Sequence, residues 1–194
     1  MSSIYGSFEP AMREAMANLL EQIEGIRTEL KKKNGMDPVE HLLSRIKSEE
    51  SMREKCRRKQ LPETVESATQ VIRDGIGIRV VCGFIKDVFT FRDEIRNLPG
   101  IDVVEEKDYI RHAKPNGYRS LHMILHLPDG LYAEIQLRTI SMDTWAALEH
   151  HMKYKKTLNG NTALIIEELR RCANELASTD VSMQTIRDMI LEEN

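Results

Sequence analysis

The chain has 194 residues, 41% of them apolar and 30% charged, with a formal net charge of −3. That leaves room for one domain with a proper core and terminal extensions, excludes two enzymatic domains of ordinary size, and gives no global pull toward nucleic acid or membrane. An odd set of widely spaced cysteines (Cys56, Cys82, Cys172), no apolar run near the ~20 residues of a membrane span, and no basic-then-apolar leader point to a cytoplasmic protein with reduced thiols.

From Glu9 to Lys33, Met12, Met16, Leu19, Leu20, Ile23, Ile26 and Leu30 recur at helical spacing, which predicts one long amphipathic helix. Lys31-Lys32-Lys33-Asn34-Gly35 suits its end, the lysines reading as a solvated terminus. Asp37-Pro38 then reads as the cap and first turn of a second helix, continuing through His41 to Lys59. Cations crowd that stretch. Charge alone suggests an exposed helix face, but Arg45-x-Lys47-Ser48 with Ser51 and Lys55 combines a fork, point charges and hydroxyls that could clamp a polyphosphate.

A short helix is predicted around Glu63 to Ile72. The β-branched run Ile76 to Cys82 reads as a central strand buried on both faces and entered through a glycine-bearing turn. Asp74 at its mouth is a candidate magnesium ligand, because hard cations take carboxylate oxygens and share them with phosphates. Arg79, alone among apolar neighbours, must pair inside the protein or face a ligand; an ion pair with Asp74 is the bland alternative. Asp87 to Leu98 reads as a helix and Ile101 to Lys107 as an edge strand.

Tyr118 to Leu127 alternates, with Leu121, Met123, Leu125 and Leu127 on one face and Tyr118, Ser120, His122 and His126 on the other. After Pro128-Asp129-Gly130 the alternation resumes, with Ala133, Ile135 and Leu137 against Glu134, Gln136 and Arg138. A two-residue Asp-Gly turn would set His122 opposite Leu137, and opposed residues must share a face. A three-residue loop pairs Ser120 with Arg138, His122 with Gln136 and Ile124 with Glu134 instead. The resulting face carries an aromatic, a carboxylate, forked donors and imidazoles, a set that suits a base, a ribose and phosphates rather than plain solvent.

Ser141 to Lys156 is predicted to be a helix burying Met142, Trp145, Leu148 and Met152. Its Glu149-His150-His151 lacks the HExxH zinc spacing. Asn159-Gly160-Asn161 reads as a break before two further helices, Ala163 to Ala177 and Val181 to Leu191.

Five blocks, in order, resemble the small alarmone synthetases of the RelA/SpoT homologue superfamily. They are Arg45-x-Lys47-Ser48-x-x-Ser51-x-x-x-Lys55, Asp74-x-x-Gly77-x-Arg79, Lys114-x-Asn116-Gly117-Tyr118-Arg119-Ser120-x-His122, Glu134-Ile135-Gln136-x-Arg138-Thr139, and Trp145-Ala146-x-Leu148-Glu149-His150 leading to Tyr154-Lys155. The resemblance implies an α+β, nucleotidyltransferase-like synthetase domain with one mixed sheet flanked by helices. An N-terminal helix (1–35), a core (36–157) and C-terminal helices (158–194) would make it up.

The resemblance further implies transfer of the β,γ-pyrophosphate of ATP to the ribose 3′-hydroxyl of GDP or GTP, with Mg²⁺, in a homotetramer. Asp74 would hold the metal, with Glu134 assisting it or deprotonating the hydroxyl. Arg45 and Arg79 would embrace adenine, and Lys47, Ser51 and Lys55 the ATP phosphates. Tyr118 would stack on guanine, with Lys114, Asn116, His122 and Gln136 positioning the acceptor. His41 and Asp143 replace an aromatic and an asparagine that product-activated members usually offer, and a carboxylate there argues against activation by pppGpp. Two alternatives are a non-catalytic nucleotide- or RNA-binding regulator of the same fold and a relative that pyrophosphorylates tRNA. The paired carboxylates disfavour the first and the acidic charge the second.

Overall fold

The computed structural model describes residues 3–154 and 162–192. Helix α1 (Glu9–Asn34) leads into strand β1 (Val39–Ile46) and helix α2 (Glu49–Arg58). A π-helical turn at Ser67–Val71 precedes β2 (Ile76–Cys82), α3 (Ile85–Arg96) and β3 (Asp102–Asp108). The hairpin strands β4 (Leu121–His126) and β5 (Tyr132–Thr139) follow, then α4 (Ile140–Tyr154) and α5 (Thr162–Glu192). The strands form one mixed sheet in the order β1-β2-β5-β4-β3, with β2 and β5 parallel and the other neighbours antiparallel. The expected α+β class, with long helices near both ends, is what the chain adopts.

Strand parity divides the sheet into a dry face and a polar one. Ile76, Ile78 and Val80, Leu121, Met123 and Leu125, and Ala133, Ile135 and Leu137 are all buried against α1 and α3, where Leu19, Ile23, Phe91 and Ile95 meet them. Each large side chain so buried contributes roughly 1.5–3 kcal/mol. The hairpin holds the register that parity demands: His122 faces Gln136 and Ile124 faces Glu134. Leu127 donates its N–H to the Leu131 carbonyl across Pro128-Asp129-Gly130, closing the three-residue loop.

Four expectations fail, the first because a tertiary contact outweighs a local pattern. Asp37 caps no helix. Its carboxylate takes the Arg27 guanidinium at 2.9 and 3.0 Å and the Val39 N–H, folding the chain back along α1 so that residues 39–46 pair antiparallel with β2. Charges scattered along this edge strand protect it from pairing with other chains. The helix starts only at Ser48, whose hydroxyl accepts the Ser51 N–H as its cap. Strand β2 is buried on both faces only in its second half, since Gly77 and Arg79 open onto the polar face.

Helix α4 buries Met142, Trp145 and Glu149, whereas Leu148 and Met152 are exposed. The two predicted C-terminal helices are one. Ser178-Thr179-Asp180 continues helical because Thr179 bonds the Glu175 carbonyl and Asp180 receives the Thr139 hydroxyl inside the protein at 2.6 Å. The Asn159-Gly160-Asn161 break and Lys155 lie outside the described residues.

The first described residues join the core as well. Ile4 and Tyr5 are buried, and the Tyr5 hydroxyl donates to the Lys47 carbonyl at 2.6 Å. Gly75 lets α1 close on the mouth of β2, because a Cβ there would lie 2.9 Å from the Met12 methyl. The entry to β2 is packed tightly, with Ile76 fully buried.

Candidate active site

Register brings the polar residues together in rows that cross the sheet. One row runs Arg45, Gly77, Glu134, Ile124, and the next runs Leu43, Arg79, Gln136, His122. Arg45, Lys47, Asp74, Arg79, Glu134 and Gln136 line one open cleft. The bare backbone of Gly77 forms its floor between Arg45 and Glu134.

Cations gather around Asp74. Lys47 Nζ lies 3.1 Å from Asp74 Oδ2, and Lys55 bonds the same oxygen. Asp74 Oδ1 is buried and without a hydrogen-bond partner, as is Arg79 Nε. Buried polar atoms without partners are rare and costly, and these two, both on residues that line the cleft, are open to a further partner there. The Asp74–Arg79 ion pair does not form; Arg79 turns to Asp143, 3.1 Å away. Ser51 is tied to Ser48 at the start of α2 rather than lining the cleft.

The hairpin side is wired to itself. Tyr118 Oη meets His122 Nε2 at 2.8 Å, His122 Nδ1 meets Glu134 Oε1 at 3.1 Å, and Gln136 donates to Glu134 Oε2 at 2.8 Å. Burial pushes the Glu134 carboxyl up, but His122, Gln136 and the Lys55 charge outweigh it and hold it at about 2. Lys114 sits 4.7 Å from the Tyr118 ring centroid and 4.5 Å from that of Tyr109. Asn116 donates to Glu149 and accepts the Tyr118 N–H. Gly117, with φ at +93°, packs directly under α5, where a Cβ would come within 2.6 Å of the Ala173 Cβ. Arg119 secures the same loop to Asn174.

Sequence reasoning left Arg138 and Tyr109 without roles and read Asp143 only as a departure from product-activated members. Arg138 donates to Tyr118 Oη at 2.6 Å, Gln136 Oε1 at 2.9 Å and Asp143 Oδ1 at 3.0 Å. Its place on the polar side of the alternation was the available signal. Asp143 is not the bare carboxylate imagined from its type, since two guanidinium groups already neutralise it.

Among the described residues no cluster of three or more His, Cys, Asp and Glu side chains could hold a metal by itself. Asp74 and Glu134 nevertheless fit Mg²⁺, which is commonly bound by one or two carboxylates and completes its shell with water and substrate phosphates. The buried, partnerless Asp74 Oδ1 and the ionised Glu134 are suitable oxygen donors.

Carboxylates set beside Lys and Arg side chains, on the open face of a mixed sheet, suit a nucleotide and its phosphates. Residues 44–159 match the model for the region found in RelA/SpoT proteins. The chain is 38% identical over 161 residues to the GTP pyrophosphokinase YwaC of Bacillus subtilis, covering 79% of this chain and 76% of that one. It is 30% identical over 188 residues to YjbM of the same organism, covering 93% and 87%. Among solved structures, the small alarmone synthetase 1 of B. subtilis bound to its product pppGpp superposes with a TM-score of 0.81 at 30% identity, over 95% of this chain and 96% of that one. The same enzyme bound to AMPCPP gives 0.74 at 28% identity, over 95% and 96%. The chain belongs to the RelA/SpoT family, in its branch of small alarmone synthetases.

Proposed function

We propose that this chain is a GTP pyrophosphokinase that transfers the β,γ-pyrophosphate of ATP to the 3′-hydroxyl of GDP or GTP, releasing AMP and ppGpp or pppGpp. The observation that carries this reading is the position of Asp74 and Glu134, lining one cleft between a cation-rich side and a hydrogen-bonded hairpin. The 3′ oxygen attacks the β-phosphorus, the bond to the α-phosphate oxygen breaks, and the hydroxyl proton is released. Such transfer is mainly positioning and charge neutralisation.

On the donor side, Arg45 and Arg79 flank the adenine, while Lys47 and Lys55 exchange Asp74 for the ATP phosphates. Asp74 and Glu134 would hold Mg²⁺, which when bound would neutralise the developing charge on the transferred group. A carboxyl held at about 2 is a weak proton acceptor, which favours metal binding and hydrogen bonding to the 3′-hydroxyl over proton abstraction for Glu134. On the acceptor side, Tyr118 stacks on guanine and His122 and Gln136 hold the ribose side.

Assembly as a homotetramer is supported by apolar side chains that α5 and α4 leave exposed, among them Leu164, Val181, Met189, Leu148 and Met152. No helix among the described residues is long and apolar enough to cross a membrane. We place the enzyme in the cytoplasm, as a source of alarmone in the stringent response.

The test is incubation with ATP, Mg²⁺ and GMP, GDP or GTP in turn, with separation of products. The expected result is AMP and a 3′-pyrophosphorylated guanosine nucleotide in equal amounts, abolished by EDTA. Hydrolysis of ATP without a guanosine product would overturn the reading.

A further inference from the structure

We propose that Asp143 is a positioning residue for both substrates at once, the carboxylate that fastens the donor half of the cleft to the acceptor half. The inference rests on the reading above.

Asp143 stands in the first turn of α4, its side chain 15% exposed. One oxygen, Oδ1, takes Arg79 Nη1 at 3.1 Å from β2 and Arg138 Nη1 at 3.0 Å from β5. The other, Oδ2, lies 3.6 Å from His41 Nε2 on β1. A single side chain on a helix thus meets three neighbouring strands of the polar face.

The two guanidinium groups lead to different halves of the site. Arg79 lines the cleft on the ATP side, and its Nε is buried without a partner. Arg138, its side chain 5% exposed, spends its remaining donors on Tyr118 Oη, Gln136 Oε1 and Ser120 Oγ. Its guanidinium carbon also lies 5.2 Å from the Tyr118 ring centroid.

Like charges this close repel, and a shared anion is what allows them to sit side by side. Burial lowers the affinity of Arg79 for its proton, the Arg138 charge lowers it further, and Asp143 opposes both. Neutralising Asp143 therefore removes the reason for Arg79 to point along the cleft and for Arg138 to hold Tyr118 and Gln136. The reacting carboxylates are not touched.

Asp143→Asn keeps the shape and removes the charge. With that charge gone, KM is expected to rise about tenfold or more for ATP and for GDP, with kcat changed less than threefold. Isothermal titration with AMPCPP alone and GDP alone, where no turnover occurs, is expected to show both losses. Arg79→Ala combined with Asp143→Asn is expected to weaken AMPCPP no further than Arg79→Ala alone, because both remove the same link. Circular dichroism reports whether each variant is folded. Should Asp143→Asn unfold, Arg138→Lys tests the link from the other end and is expected to raise both KM values as well.

Loss confined to one nucleotide, or losses that multiply in the double variant, would overturn the proposal. Failure of the underlying reading looks different, because the unaltered protein would then make no guanosine product.

Discussion

The proposed donor and acceptor halves of the cleft use the same sheet in opposite ways. On the acceptor side, Tyr118, His122, Glu134, Gln136 and Arg138 satisfy one another in a continuous chain of hydrogen bonds. On the donor side, Asp74 Oδ1 and Arg79 Nε are left bare, and Lys47 and Lys55 crowd a single carboxylate oxygen. The side chains of the acceptor half hold one another in place, whereas a ligand would complete the bonding of the donor half. That difference predicts which substitutions affect chemistry, which affect binding, and which affect neither.

The largest effect is expected from Glu134→Gln, which removes the charge at the junction of the halves. Turnover should fall by about 10³ or more while GDP affinity, measured calorimetrically, stays within about threefold. Retained turnover would break the assignment. Tyr118→Ala should weaken GDP by about tenfold and AMPCPP by much less, since stacking on a base is worth about 1–3 kcal/mol. Equal loss of both would erase the distinction between the halves.

The smallest effect belongs outside the cleft. The Arg27 hydrogen bond overcomes partial burial and holds the Asp37 carboxyl at about 2, below its ordinary 3.8. Its stabilising contribution is therefore full above the ordinary value and lost as pH falls through about 2. After solvent screening this amounts to about 1 kcal/mol. Asp37→Asn should lower the melting temperature by a few degrees at neutral pH, narrow that gap in acid, and leave both KM values unchanged.

The acceptor half was the more legible from sequence because its logic is local. Alternation on two strands joined by a short loop admits one register, and parity then fixes which side chains share a face. Residues 39–46 misled for the opposite reason. Their apolar spacing fits a helix, and what makes them a strand is an open edge on β2 together with Arg27 holding Asp37, neither of which is visible nearby in the chain. Ser178-Thr179-Asp180 separates two helical patterns in the sequence, yet the helix runs through it with Asp180 bonded to Thr139 inside the protein. The role of Asp143 depends on arginines from two different strands, so no local pattern could announce it.

The parallel pairing of β2 with β5 carries a consequence for how the molecule comes to exist. The β4–β5 hairpin needs only a short loop, but Ile76 must find Ala133 across the intervening α3, β3 and hairpin. Loop-closure entropy makes that encounter slow and late. The β4–β5 pairing that sets His122 beside Gln136 is therefore expected to form before the β2–β5 pairing that sets Arg79 beside it and completes the cleft.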